Sequence, residues 1–201
     1  GMIKVQPEEI RDSIDAILQA IDNSVSGYNK KSLLSRFNAG ETIAPDQIFM
    51  DIYGHAYEIY ELTEGVVDVA AAPLFDIWGF GFANDSLPSY DKVAQVLAES
   101  GMERLARDMY PAAEGGLNAS EILENEGVLP KLNYNAIAQG YSCDLVAEYL
   151  YSIGVKDMMV DIGEIFCDGK NPAGQSWSLG IDRPVDGNNE PGAQIQGVFR
   201  A

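Results

Sequence analysis

Every long segment with helical periodicity in this chain lies before residue 154, and every long segment with strand character lies after residue 157. That order constrains the fold more than any single motif does. From Pro7 to about Ser24, Ile10, Ile14, Ile17, Leu18 and Ile21 form one apolar stripe, with Pro7 suited to a first helical turn and Glu8 and Glu9 to its positive end. Residues 31–37 predict a short helix. Pro45 to about Thr63 predicts a longer one, with Ile48, Ile52, Ile59 and Leu62 inward and Gly65 as its stop. Pro88 to Ser100 and Ala136 to Ile153 follow, closed by Gly101 and Gly154. Residues 158–162, 164–167, 177–182 and 193–199 carry strand formers, and the turn residues of 168–174 predict a hairpin between the second and third of these. Stretches 66–87 and 109–131 read as loops. Helices first and an antiparallel sheet later predict an α+β fold. At 201 residues the chain can bury one core, and we read residues 1–201 as a single domain.

Charge narrows the function. Thirteen basic residues face thirty-one acidic ones, for a net charge of −18. Such a field repels a nucleic-acid backbone, so no nucleic-acid partner is expected, and a phosphate-bearing ligand would need a compensating cation. The two cysteines, Cys143 and Cys167, are not spaced as a metal-binding pair and read as free thiols. His55, the single histidine, falls inside a predicted helix, too little for a histidine-built zinc site or a catalytic triad. No apolar run is long enough to span a bilayer, and no signal peptide is recognisable.

The junction at residues 132–144 offers a ligand seat. A short alternating segment, Leu132-Asn133-Tyr134, runs into the 136–153 helix through small residues only. A helix N-terminus concentrates unsatisfied N–H groups and partial positive charge, and few side chains here would obstruct an approaching anion.

Four stretches together resemble a known pattern. They are Ser26-Gly27-Tyr28-Asn29 with Ser32 and Arg36-Phe37-Asn38; Gly65-Val66-Val67-Asp68 with Pro73-Leu74 and Trp78-Gly79-Phe80-Gly81; Asn135 to Tyr141 with Asp144; and residues 160–165. In order and spacing the chain resembles the ApbE family, the FAD:protein FMN transferases once called thiamine-biosynthesis lipoproteins. The resemblance implies an α+β, T-fold-related architecture with an antiparallel sheet flanked by helices. It implies FAD as substrate, Mg²⁺ as cofactor, and transfer of FMN to a threonine hydroxyl of a target flavoprotein with release of AMP. It also implies a lipid-anchored protein at the cell envelope.

Residue by residue, the resemblance assigns Tyr28, Val66, Val67, Asp68, Asn133 and Gln139 to FAD contact and the Ala136 carbonyl to the metal; it names no catalytic base. Structural alternatives stand beside these roles. Tyr28 could be a half-buried core tyrosine, Asp68 could simply cap a turn, and Trp78 and Phe80 suit a pocket wall or the core. Two departures stand out. Asp161-Ile162-Gly163-Glu164 has one glycine fewer than the family's usual run, and a lost strand residue flips the faces downstream unless a bulge goes with it. The chain is also shorter than the family at both ends, so the 201-residue chain alone is expected to bind FAD weakly and transfer nothing. The competing readings are a non-catalytic flavin-nucleotide-binding remnant and an acidic interaction domain.

Overall fold

The computed structural model describes residues 5–79, 87–107, 116–123 and 128–201. Its helices are α1 (Pro7–Val25), α2 (Leu33–Asn38), α3 (Gln47–Leu62), α4 (Ala72–Ile77), α5 (Tyr90–Glu99) and α6 (Asn135–Ser152). Strands β1 (Met158–Asp161), β2 (Ile165–Asp168), β3 (Ser178–Asp182) and β4 (Ile195–Arg200) follow them. The α+β class expected from the segment order is the one observed. No helix among the described residues is long and apolar enough to cross a membrane.

The chain folds as two compact units, Ala16–Tyr141 and Gly1–Asp15 with Ser142–Ala201. The first is helical. Side-chain oxygens set its helix starts: Ser32 accepts from the Ser35 N–H, Asp46 from that of Phe49, and Ser89 from that of Lys92. The buried stripe of α3 is Phe49, Ile52, Tyr53 and Ala56. This corrects the inward assignment of Leu62, which is 84% exposed at the helix end. Phe49 packs against Phe37 (ring centroids 5.7 Å apart) and edge-on against Tyr134 (6.0 Å), and Leu34, Ile43, Met102, Leu117 and Leu132 complete the core. Helix α4 interrupts the expected 66–87 loop. Six residues with Pro73 in the first turn give too short a pattern for periodicity to register.

Tyr134 is fully buried, and among the described residues its hydroxyl has no partner. Burial holds the phenol well above its ordinary pKa, so it stays neutral. An unpaired buried hydroxyl costs roughly 1 kcal/mol or more. Tyr134→Phe is therefore expected to raise the melting temperature by about 2–4 °C. A melting temperature that falls instead would mean the hydroxyl is bonded in solution.

The second unit holds both sheets. β1 pairs antiparallel with β2, Val160 opposite Phe166, and β3 pairs antiparallel with β4, Leu179 opposite Phe199. This corrects both the single sheet and the hairpin expected through 168–174. The turn there does form, since Asn171 Oδ1 accepts from the N–H groups of Ala173 and Gln175, but the strands it joins pair with other neighbours. The β1–β2 hairpin closes instead over residues 162–164, with Gly163 at φ +95° and its N–H on Asp161 Oδ1. One glycine is enough for that turn. The same unit ties the hairpin to α6: the Cys143 thiol donates to the Glu164 carbonyl, and Tyr151 donates to Asp168 at 2.5 Å. Both cysteines are free thiols, Cys143 buried with its pKa raised by desolvation.

The β3–β4 ribbon carries apolar side chains on both faces, beside the polar Ser178, Asp182 and Arg200. Leu179, Ile181 and Phe199 share one face; Val198 and Ile195 share the other, where the Ile195 side chain lies over Gly180. A register shift falls between Ile181 and Asp182, and the Asp182 carboxylate accepts the Gly192 N–H on both oxygens (3.0 and 3.1 Å).

Candidate functional site

Three loops of the helical unit converge on one cavity. The first carries Tyr28. Ser26 Oγ accepts the N–H groups of Tyr28 and Asn29, Asn29 Nδ2 donates to Asp22 at 2.7 Å, and Ser32 Oγ donates to the Ser26 carbonyl at 2.7 Å. So held, the loop leaves the Tyr28 side chain 68% exposed, which removes the half-buried core role.

The second loop follows α3. Thr63 Oγ1 accepts the Val67 N–H, the Gly65 N–H reaches back to the Tyr60 carbonyl, and Glu64 and Gly65 both take positive φ. The chain turns sharply and presents Val66, 85% exposed. Asp68 then caps a 3₁₀ turn: Oδ1 accepts from Ala70 N–H at 2.8 Å and Oδ2 from Met102 N–H at 3.1 Å. Desolvation raises its pKa, against the lowering effect of those two hydrogen bonds. The capping role foreseen for Asp68 is thus observed, and the residue lines the cavity as well.

The third segment is residues 131–134. Leu132 and Tyr134 point into the core, each 1% exposed, and Asn133 between them faces out. Asn38 grips this segment at two points: its Nδ2 donates to the Leu132 carbonyl and its Oδ1 accepts the Leu132 N–H, both at 2.8 Å. The Asn133 N–H donates to the Val69 carbonyl at 2.8 Å. Sequence reading noted Asn38 within a motif but missed this role, because nothing local marks a partner 94 residues away. Asn133 Oδ1 accepts the Asn135 N–H, and the Tyr134 carbonyl accepts those of Ile137 and Ala138. Among the described residues no acceptor meets the N–H of Ala136, which is the open donor of the first turn of α6.

The resulting cavity holds about 620 Å³ and is lined by Tyr28, residues 66–69, Ala71, Phe75, Asn133, Asn135 and Ala136. Its volume falls within the range typical of small-molecule sites. Six candidate residues, Tyr28, Val66, Val67, Asp68, Asn133 and Ala136, meet there. Gln139 does not; it is exposed about one turn further along α6.

A family model, that of the ApbE family, matches residues 2–200. The chain belongs to the ApbE family. Among its relatives, the FAD:protein FMN transferase of Haemophilus influenzae is 31% identical over 194 residues, 92% of this chain and 54% of that one. The enzyme of the same name from Vibrio cholerae is 33% identical over 181 residues, 87% of this chain and 51% of the other. The solved flavin transferase ApbE from Vibrio cholerae superposes with a TM-score of 0.73 at 32% identity, covering 90% of this chain and 57% of that one. The chain spans about half the length of the curated relatives it matches.

Two family assignments need comment. Trp78 ends α4 about half exposed and lines neither the cavity nor the core, contrary to expectation, while Phe80 and Gly81 lie outside the described residues. For Mg²⁺, the Ala136 carbonyl lies in the first turn of α6, where a helical carbonyl accepts the N–H four residues on. Octahedral Mg²⁺ takes about six oxygens. Among the described residues, no three His, Cys, Asp or Glu side chains come together that could hold a metal. The described residues do not by themselves fit the ion.

Proposed function

We propose that the cavity is a flavin-nucleotide site and that the protein acts in FMN transfer from FAD to a threonine hydroxyl of a target flavoprotein, releasing AMP. One observation carries this reading: Ala136, whose N–H meets no acceptor among the described residues, lines one cavity of about 620 Å³ together with the exposed Tyr28, Val66 and Phe75. An aromatic ring system with a phosphate tail needs that combination, an apolar seat beside an oriented donor at the positive end of a helix. The relatives' names support FMN transfer from FAD to a protein, and the threonine hydroxyl and AMP release rest on the family resemblance alone.

In the proposed reaction the threonine oxygen attacks the phosphorus on the FMN side. The phosphoanhydride bond to AMP breaks, and the hydroxyl proton leaves to a base. This chain's residues bind and orient. Val66, Val67 and Tyr28 exclude water from the ring, and Asn133 fixes the entry to α6 so that the Ala136 N–H addresses a phosphate oxygen. Asp68 holds the loop beside Met102. Mg²⁺ enters only as what family membership implies, and no step is routed through it. Lipid anchoring at the cell envelope likewise rests on family membership alone.

A second reading, flavin-nucleotide binding without catalysis, is favoured by Asp68. Among the described residues it is the one carboxylate lining the cavity, and both its oxygens already serve backbone N–H groups, which leaves it poorly placed as a base. Incubation with FAD, Mg²⁺ and a threonine-bearing acceptor separates the two. A mass gain equal to FMN on the acceptor, with AMP released, is expected for transfer. Flavin binding without either product would support the second reading, and no flavin binding at all would sink both.

A further inference from the structure

Beside the main cavity lies a smaller pocket of about 180 Å³, and Tyr28, Phe75, Asn133 and Asn135 line both. The smaller pocket has its own character, because two lysines reach it from different segments: Lys30 from the loop that carries Tyr28, and Lys131 from the strand-like run into α6. A single carboxylate, Asp76, joins them. The formal charge on the pocket wall is therefore +1, on a protein whose net charge is −18. Only thirteen basic residues serve the whole chain. Two of them lining one concavity next to the proposed ligand site give it a local positive excess, as Arg104 and Lys131 against Glu99 do for a further pocket of about 70 Å³.

We propose that this annexe is a phosphate subsite, in which Lys30 and Lys131 compensate the charge of the diphosphate and the non-flavin end of the dinucleotide. The inference rests on the flavin-nucleotide reading and adds to it the source of positive charge. Lysine suits the task as a compact ammonium with three donors, able to follow a phosphate group without fixed geometry. Asp76 limits the pocket's appetite for anions, so that a bound diphosphate, rather than any single stray anion, balances the pair. Of these two cavities Lys30 and Lys131 line only the smaller, and Val66 and Val67 only the main one, with Asn133 and Asn135 lining both. A dinucleotide lying across the shared wall would have its ring on the apolar side and its phosphates toward the lysines.

The test uses the full chain. Flavin-fluorescence titrations with FAD and with riboflavin, and calorimetry with inorganic diphosphate, are run on wild type, on the Lys30→Gln/Lys131→Gln double variant and on Lys131→Arg. The expected result is FAD affinity weakened about tenfold in the double variant, given the modest worth of part-exposed charge contacts. Riboflavin affinity should be unchanged, and Lys131→Arg should retain most of the wild-type value. The wild-type affinity for FAD should also fall with added salt, and that slope should flatten in the double variant. FAD affinity that moves less than twofold in the double variant would overturn the subsite while leaving the flavin reading intact. Lysine-dependent diphosphate binding by a wild type that binds neither flavin would overturn the flavin reading and keep the subsite. If the wild type binds none of the three, both fall.

Discussion

Ala136→Trp is expected to abolish flavin-nucleotide binding while leaving the fold as stable as before. Ala136 is exposed, belongs to the first turn of α6, and borders the cavity directly. Its methyl group is small enough for a ligand to reach the one N–H of that turn that meets no acceptor among the described residues. An indole there would fill the mouth of the cavity and cover the donor, so both the apolar seat and the oriented N–H are lost together. The position contributes no core packing, and surface substitutions of this kind usually change stability by less than about 0.5 kcal/mol. The measurement is paired: FAD fluorescence quenching, expected to vanish at concentrations that saturate the wild type, and thermal melting, expected to move by no more than about 2 °C. Retained FAD affinity in a folded variant would move the ligand away from this cavity.

Asn38→Ala should strike in the opposite sense, through stability first. The Asn38 side chain satisfies both the N–H and the carbonyl of Leu132, a residue that is 1% exposed. Alanine leaves two backbone groups in the interior with nothing to bond, at roughly 1–3 kcal/mol for each that stays dry. A loss of about 2–4 kcal/mol and a melting temperature lower by some 8 °C are expected. Asn38→Asp is the informative companion. Its carboxylate can still accept the Leu132 N–H but cannot donate to the carbonyl, so it should recover part of the loss near pH 7. A melting temperature within about 2 °C of wild type for the alanine variant would contradict the two-point grip.

Much of the helical framework was legible because its signals are local. The apolar stripe of α1 was readable from the chain nearby, and so was Gly154, which follows α6 with φ +93°, its neighbour Val155 bonding back to the Leu150 carbonyl. The strands were legible as strands but not as partners. Pairing is decided between segments, and the conspicuous turn at 168–174 outweighed the plain three-residue link at 162–164, although the latter is the one that folds a hairpin. The cavity was legible through family resemblance, which drew Tyr28, residues 66–68, Asn133 and Ala136 together, whereas Gln139 lies outside it. Unreadable in advance were Asn38 on Leu132 and the convergence of Lys30 with Lys131, each a meeting of residues about a hundred positions apart.

The apolar side chains on both faces of β4 raise a question of alignment. In most sheets one wet and one dry face police the register, since a slip by one residue would send every hydrophobic side chain into water. Here a one-residue slip of β4 would set Val198 in place of Phe199 beside Leu179 and Ile181, one apolar side chain for another, and that part of the penalty weakens. The alignment must be written elsewhere. It is written in the bulge between Ile181 and Asp182 and in the clasp of the Asp182 carboxylate on the Gly192 N–H, two features that exist in only one alignment of the strands. A single exposed aspartate thus acts as the key that indexes β4 against β3, where the side chains of β4 alone would fix the match only weakly.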